Sequence, residues 1–331
     1  MKMNLNDKSE SIIMSTSFDK IIDELSKTHN YFIIDQNVYN LYHDFIQSLP
    51  NKIGESIIIA DEANKTIETY NQIIKDLLKH NVTKKDYLVA IGGGIITDLA
   101  GFTASTYKRG MNLINIPTTL IGMIDASIGG KNGLNVGKIK NVIGQIYLPN
   151  KVLICSSFLE TLDPIDITCG KIEMFKIALV FDDAHIKYLK GYLEDNIIKY
   201  FALKKENVCF KDLEGNNIRT YLNFGHTLGH ALELTLNIKH GIAVGLGMYY
   251  FTKSKELKAF IKDHLFLYGL NILDYQERIK NLNIDELMDI ISNDKKNDDL
   301  INIVTINEIN EPYIESLTKT ELRGMIENEL L

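Results

Sequence analysis

The sequence predicts an α/β N-terminal domain built on a parallel sheet, followed by an all-α C-terminal domain. Three observations carry this. Short apolar runs alternate with stretches of helical period through the first third of the chain. The third of these runs leads straight into Gly92-Gly93-Gly94. After about Pro149 the apolar spacing turns helical, from Glu173 to Lys205 and again beyond Gly241.

Taken in order, Tyr31-Phe-Ile-Ile-Asp35 reads as a buried strand, followed by a helical pattern through Tyr42. Ser56-Ile-Ile-Ile-Ala60 reads as the second strand, and Thr66 to His80 as a helix. Tyr87-Leu-Val-Ala-Ile91 is the third strand, and Ile95-Ile-Thr-Asp98 opens the next helix. Glycines between a strand and a helix let a phosphate approach the free N–H groups of the helix N-terminus. The same residues also suit a plain tight turn, and the spacing is not GxGxxG. Ile114-Asn-Ile116 is a brief strand, and loops rich in glycine, lysine and amides follow to Asn141, as either an anion site or a solvated basic stretch. The domain boundary is expected between Leu153 and Asp163, giving domains 1–158 and 159–331.

Chemistry concentrates in Arg219-Thr-Tyr-Leu-Asn223-Phe-Gly-His226-Thr-Leu-Gly-His230-Ala-Leu-Glu233 and the following His240-Gly241. His226 and His230 are i and i+4, so on a helix they share a face, with Glu233 further along it. That spacing suits a zinc pair or two locally bonded histidines. Gly225 and Gly229 are poor helix residues unless something must come close.

Of 331 residues, 45% are hydrophobic and 24% charged, which describes an ordinary globular protein large enough for two cores. The net charge of −7 argues against nucleic acid or an acidic membrane as partner. Cys155, Cys169 and Cys209 have no framework spacing and suggest a reducing compartment. Residues from Met1 to Ser11 do not read as a signal peptide, and no apolar run approaches the ~18 residues of a membrane span. A cytoplasmic location is expected.

Several blocks occur in one order: Gly92-Gly-Gly-Ile-Ile-Thr-Asp98, Pro117-Thr-Thr-Leu, Asp125-Ala-Ser-Ile-Gly-Gly-Lys131, Glu173-Met-Phe-Lys176, Leu222-Asn-Phe-Gly-His-Thr-Leu-Gly-His230, His240-Gly and Asp294-Lys-Lys296. Together they resemble the 3-dehydroquinate synthases, members of the sugar-phosphate cyclase family, from Asp35 to about Lys296. The resemblance implies an NAD-binding first domain and a metal- and substrate-binding second domain. It implies zinc or cobalt held by Glu173, His226 and His240, with His230 turned to substrate. It places NAD+ among Asp35, Glu62, Lys65, Gly93, Gly94, Ile95, Asp98, Thr118, Thr119, Lys131, Lys140, Phe158 and Thr161. Substrate groups would come from Asp125, Lys131, Asn141, Lys176, Lys205, Arg219, Asn223, His230, Lys295 and Lys296, with Arg109 reaching in from the second subunit of a homodimer. Lys176 and Lys205 could equally be solvated helix positions.

The implied reaction converts 3-deoxy-D-arabino-heptulosonate 7-phosphate, an anionic sugar phosphate, to 3-dehydroquinate and phosphate. It proceeds through transient oxidation by NAD+, elimination, reduction and aldol closure, a step of aromatic amino-acid biosynthesis by the shikimate route. A sister cyclase with another product and a metal-dependent polyol dehydrogenase are the competing readings. The chain departs from the family pattern at Gly215, where an acid is usual, at Asn217 for glycine, at Ile165 for arginine and at Ile242 for glutamate. Glu214, next to Gly215, is the expected replacement carboxylate.

Overall fold

A computed structural model describes residues 11–137, 139–294 and 300–330. The chain forms two compact units. The first comprises the residues up to Leu162 together with Ile198–Asn207, and the second comprises Asp163–Ile197 and Val208–Leu331. The division falls at Leu162/Asp163, where the sequence put it at 158/159.

In the first unit the strands are β1 (Ile12–Ser15), β2 (Asn30–Asp35), β3 (Lys52–Ile58), β4 (Tyr87–Gly92), β5 (Asn112–Pro117), β6 (Lys131–Val136), β7 (Ile139–Ile146) and β8 (Lys151–Cys155). Its helices are α1 (Phe18–Leu25), α2 (Gln36–Leu41), α3 (His43–Gln47), α4 (Ile67–Lys79) and α5 (Gly94–Thr106). Six strands form one sheet in the order β3-β2-β4-β5-β8-β1, every pair parallel. β2, β4, β5 and β8 are buried almost throughout, as strands covered on both faces must be. Tyr31 and Ile33, Leu88 and Ala90, and Leu113 meet Ile96 and Ala100 of α5 in one core. From β2 the chain steps outward to β3, then returns to the other side of β2 for β4, so the order of strand addition reverses between β2 and β4. Asp35 ends β2 and Gly92 ends β4, and a crevice at such a switch point is where open parallel sheets bind ligands.

Several features went unread in the sequence, β1, α1, α3 and β8 among them. The stretch from Lys131 to Ile146 is an antiparallel hairpin, β6 with β7, where a loop was expected. Its residues are polar and glycine-rich without clean alternation, so period-2 reading finds nothing. β3 also starts four positions earlier than the apolar run, at Lys52.

The second unit holds α6 (Pro164–Phe181), α7 (Asp195–Lys211, whose middle belongs to the first unit), α8 (His226–Leu236), α9 (His240–Phe251), α10 (Lys255–Leu267), α11 (Leu273–Lys280), α12 (Ile284–Asp294) and α13 (Lys319–Leu330). The helical reading of this half gains one hairpin, β9 (Leu300–Ile306) with β10 (Pro312–Thr318). The expected helical run from Glu173 to Lys205 is interrupted. α6 starts earlier, where Asp163 caps Ile165 N–H and Pro164 takes the first turn. It ends at Phe181, and the backbone is extended at Asp182 and left-handed at Gly191 before α7. α6 is buried all round from Cys169 to Val180, and α9 from Gly241 to Met248. Both are interior helices.

α8 and α9 pack backbone to backbone. A Cβ on Gly247 would lie 2.0 Å from the Gly225 carbonyl oxygen, and one on Gly241 would lie 2.5 Å from Cys169 Cα of α6. Gly225 itself sits at φ +78°, just ahead of His226. Among described residues, no helix is long and apolar enough to cross a membrane.

This packing predicts a contrast between two glycines. Gly247→Ala must push backbone against backbone and should cost about 3 kcal/mol of stability. Gly324→Ala, in α13 with no atom within 4 Å of the new methyl, should stabilise by up to about 1 kcal/mol. Chemical denaturation measures both, and equal effects would contradict the packing argument.

Candidate metal and nucleotide sites

The helices that pack so closely in the second unit also carry its chemistry. Glu173 lies on α6, His226 and His230 lie one turn apart on α8, and His240 opens α9. The three imidazoles converge, with one ligand nitrogen from each within 4.8 Å of the others. Glu173 is 1% exposed. Its Oε1 lies 3.8 Å from His226 Nε2 and 3.7 Å from His240 Nε2. Its Oε2 is paired with the ammonium of Lys176. The remaining nitrogens of the two histidines face away, His226 Nδ1 to the Phe224 carbonyl at 3.2 Å and His240 Nδ1 to Glu233 Oε2 at 2.9 Å.

Glu173 Oε1 is buried and has no hydrogen-bond partner. A carboxylate oxygen stripped of water and left unbonded is costly. The two Nε2 atoms are too far away to bond it. Two ligand atoms on a tetrahedral zinc stand roughly 3.3 Å apart, so a cation between these three atoms needs only a small contraction. The donor set, one carboxylate and two imidazoles, is that of a catalytic zinc with room for substrate. The residues therefore fit the metal. Burial first, then the charges of Lys176, His240 and His230, hold His226 well below its ordinary pKa, in the neutral form a metal requires. Burial pulls His240 down as well, but its hydrogen bond to Glu233 and the charges of Glu173 and Glu233 outweigh this and raise it.

Lys176 is 1% exposed and Lys205 5% exposed, so neither is a solvated helix lysine. Arg219 is buried and Asn223 exposed on a 3₁₀ turn, Ile218–Asn223. The loop before this turn corrects the expectation about Glu214. Glu214 is exposed and bonds Asn216. Asp212 is the buried carboxylate, accepting backbone N–H bonds from Gly215 and Asn216 at 3.0 Å, Asn217 at 2.7 Å and Arg219 at 3.0 Å. Burial pushes Asp212 up, but these four donors prevail and hold it below the usual carboxylate range. The Arg219 guanidinium bonds the Leu213 carbonyl. Sequence reading missed Asp212, although Asp-Leu-Glu-Gly-Asn-Asn is a turn signature. Lys295 and Lys296 lie outside the described residues.

In the first unit, α5 starts at the switch point with Gly93 as its cap and no side chain bonding its first N–H groups. Those groups point at whatever approaches. A Cβ on Gly93 would lie 3.0 Å from Thr119 Cγ2, so a side chain at this turn would crowd the strand–helix junction. Thr118 N–H bonds the Gly92 carbonyl, and Ile95 and Gly94 continue the turn. This fits the pyrophosphate of a dinucleotide. Nearby, Lys65 pairs with Asp98 and donates to Asn141 Oδ1 at 2.6 Å. Burial pushes the Asp98 carboxyl up to about 6 against the pull of Lys65. Asn135, which sequence reading did not single out, ties Glu62 Oε2 at 2.7 Å to the Asn141 N–H at 2.9 Å. Asp35 caps α2 through the Asn37 N–H, and burial raises its pKa.

Asp125 pairs with Lys205. Lys131 and Lys140 are exposed on the β6–β7 hairpin. Phe158 is a core ring packed on Phe18, Tyr42 and Phe45, so its side chain is already committed. The Thr161 hydroxyl is bonded to Tyr42 at 2.7 Å. Arg109 is exposed, in a turn where Lys108, Arg109 and Gly110 all have positive φ.

Comparison with known proteins places this arrangement. Residues 55–169 match the family model for the 3-dehydroquinate synthase N-terminal domain, and residues 170–297 match that for the C-terminal domain. A 3-dehydroquinate synthase of Clostridium tetani is 35% identical over 350 residues, covering 98% of this chain and 93% of the relative. One from Picrophilus torridus is 37% identical over 319 residues, covering 90% of each. Among solved structures, 2-deoxy-scyllo-inosose synthase with carbaglucose-6-phosphate, NAD+ and Co2+ aligns with TM-score 0.81 at 19% identity over 96% of each chain. A 2-epi-5-epi-valiolone synthase from Streptomyces hygroscopicus with NAD+ and Zn2+ aligns with TM-score 0.82 at 23% identity, covering 99% of this chain and 98% of the other. At those identities the structures speak for the fold. The two family models and the relatives carry more, and the chain belongs to the 3-dehydroquinate synthase family.

Proposed function

We propose that the chain converts 3-deoxy-D-arabino-heptulosonate 7-phosphate to 3-dehydroquinate and phosphate, using NAD+ and a divalent zinc or cobalt ion. The observation that carries this is the buried, unpartnered Glu173 Oε1 facing two imidazole Nε2 atoms. Glu173, His226 and His240 would hold the metal. Gly93, Gly94 and Ile95 would offer backbone N–H groups to the NAD+ pyrophosphate, and Asp35 and Glu62 would accept ribose hydroxyls. When bound, NAD+ supplies a reversible hydride acceptor and the metal a Lewis acid for the substrate's hydroxyl and carbonyl.

The chain's own residues do the rest. Lys176, fixed against Glu173, places one ammonium in the dry interior beside the metal ligands. Lys205 is held by Asp125, and Arg219 by the Asp212 loop. In the second unit, the cations Lys176 and Arg219 suit an anionic substrate, and in the first, Lys205 and Lys131 do. The His230 imidazole, with one nitrogen in the same cluster, can take or return a hydroxyl proton of the substrate. The departing phosphate carries its own basic oxygens, so elimination needs no dedicated side-chain base. A homodimer in which Arg109 serves the neighbouring site, and a cytoplasmic location, complete the reading. The exposed Arg109, at φ +66°, and three buried cysteines outside any disulfide support them.

The heptulosonate phosphate, NAD+ and Zn2+ supplied together should release phosphate and 3-dehydroquinate one for one, with no net NADH. Chelation should abolish turnover. Net NADH formation, or full activity in metal-free protein, would contradict the proposal. The loop makes a second test. Asp212→Ala should raise the substrate KM at least about tenfold, while Glu214→Gln should stay near wild type. The reverse pattern would return the role to Glu214.

A further inference from the structure

Glu233 has no part in the reaction as described, yet it bonds one of the metal-ligand histidines. It stands in the last turn of α8, on the face that carries His226 and His230. A three-residue link with Asn237 at φ +48° turns the chain, and His240 begins α9 directly opposite. Glu233 Oε2 lies 2.9 Å from His240 Nδ1. An ionised carboxylate only accepts, so Nδ1 must carry the proton and donate it. That leaves the Nε2 lone pair bare, on the side where Glu173 Oε1 lies 3.7 Å away.

Three imidazoles crowd this place. His230 is 5.6 Å from His240 and 5.3 Å from His226 between ring centres, and its ligand nitrogen falls in the same cluster. Distance alone therefore does not choose two ligands from three. The Nδ1 atoms of His226 and His240 are directed away from the cluster by Phe224 O and Glu233. Of these two anchors, only Glu233 is charged. A carboxylate behind an imidazole fixes its tautomer and makes it a more basic ligand.

We propose that Glu233 is a positioning residue that holds His240 in the tautomer and orientation of a metal ligand beside Glu173 and His226. This rests on the metal reading above. Removing Glu233 should leave the ligands in place but let His240 rotate and change tautomer, which weakens the metal without touching substrate. Gln keeps an acceptor at that point and loses the charge, so its effect should be the smaller one.

The test is metal affinity of the full chain, by competition with a chromophoric chelator for Zn2+, together with the visible spectrum of the Co2+-loaded protein. Glu233→Ala should weaken Zn2+ by about 10–100-fold and shift the Co2+ bands. Glu233→Gln should weaken it less. His240→Ala should lose the metal, and His230→Ala should keep it at near wild-type affinity. Far-UV circular dichroism and NAD+ binding of the Gln variant check that the fold persists. Wild-type affinity and spectrum in Glu233→Ala, with metal lost in His240→Ala, would overturn the proposal alone. Metal retained at full affinity in His240→Ala would overturn the ligand trio and the proposal with it.

Discussion

The buried carboxylate of Glu173 is the constraint on which the second unit turns. An interior helix carries an acid that is 1% exposed, and only one of its oxygens is paired inside the protein. Such a group is tolerable only where something else completes it. The close approach of α8 to α9, and of α9 to α6, brings His226 and His240 to that oxygen. The glycines at 225, 241 and 247 look like helix breakers in a sequence, but they are the condition for that approach. Stability and chemistry therefore draw on the same residues, and a methyl group added at these contacts would disturb both.

The first unit solves a different problem with the backbone. The order of strand addition reverses between β2 and β4, and the two strand ends there carry Asp35 and the glycine turn. The cap of α5 is Gly93, which offers no side chain to the helix's first N–H groups. The charged residues around it are tied to one another: Lys65 to Asp98 and Asn141, and Glu62 through Asn135 to Asn141. A network joined this way holds its geometry before a ligand arrives, which lowers the ordering cost of binding.

Much of this was legible in the sequence because it is local. Apolar runs gave β2 and β4, and Thr66 and His80 bracketed α4 to the residue. The glycine turn was readable because strand, turn and helix are consecutive. The β6–β7 hairpin was not, since its strands bond mainly to each other and its pattern is polar. The candidate metal site was half legible. The i,i+4 spacing of His226 and His230 drew attention to α8, but Glu173 is 53 positions away from His226 and no periodicity links them. Only the resemblance brought that acid in. Asp212 was overlooked for Glu214 because adjacency to Gly215 was used as a guide, whereas the loop curls its N–H groups around the residue that begins it. Phe158, carried over by resemblance to the dinucleotide, has its ring in the core.

The central claim is that the orphaned oxygen of Glu173 and two of three neighbouring imidazoles form one metal centre. X-ray absorption at the zinc edge of the loaded full chain tests it most directly. The account predicts a first shell with two imidazole nitrogens and at least one oxygen at about 2.0–2.2 Å. Loss of protein oxygen scattering in Glu173→Ala should follow. A shell of three imidazoles, unchanged when Glu173 is replaced, would contradict it.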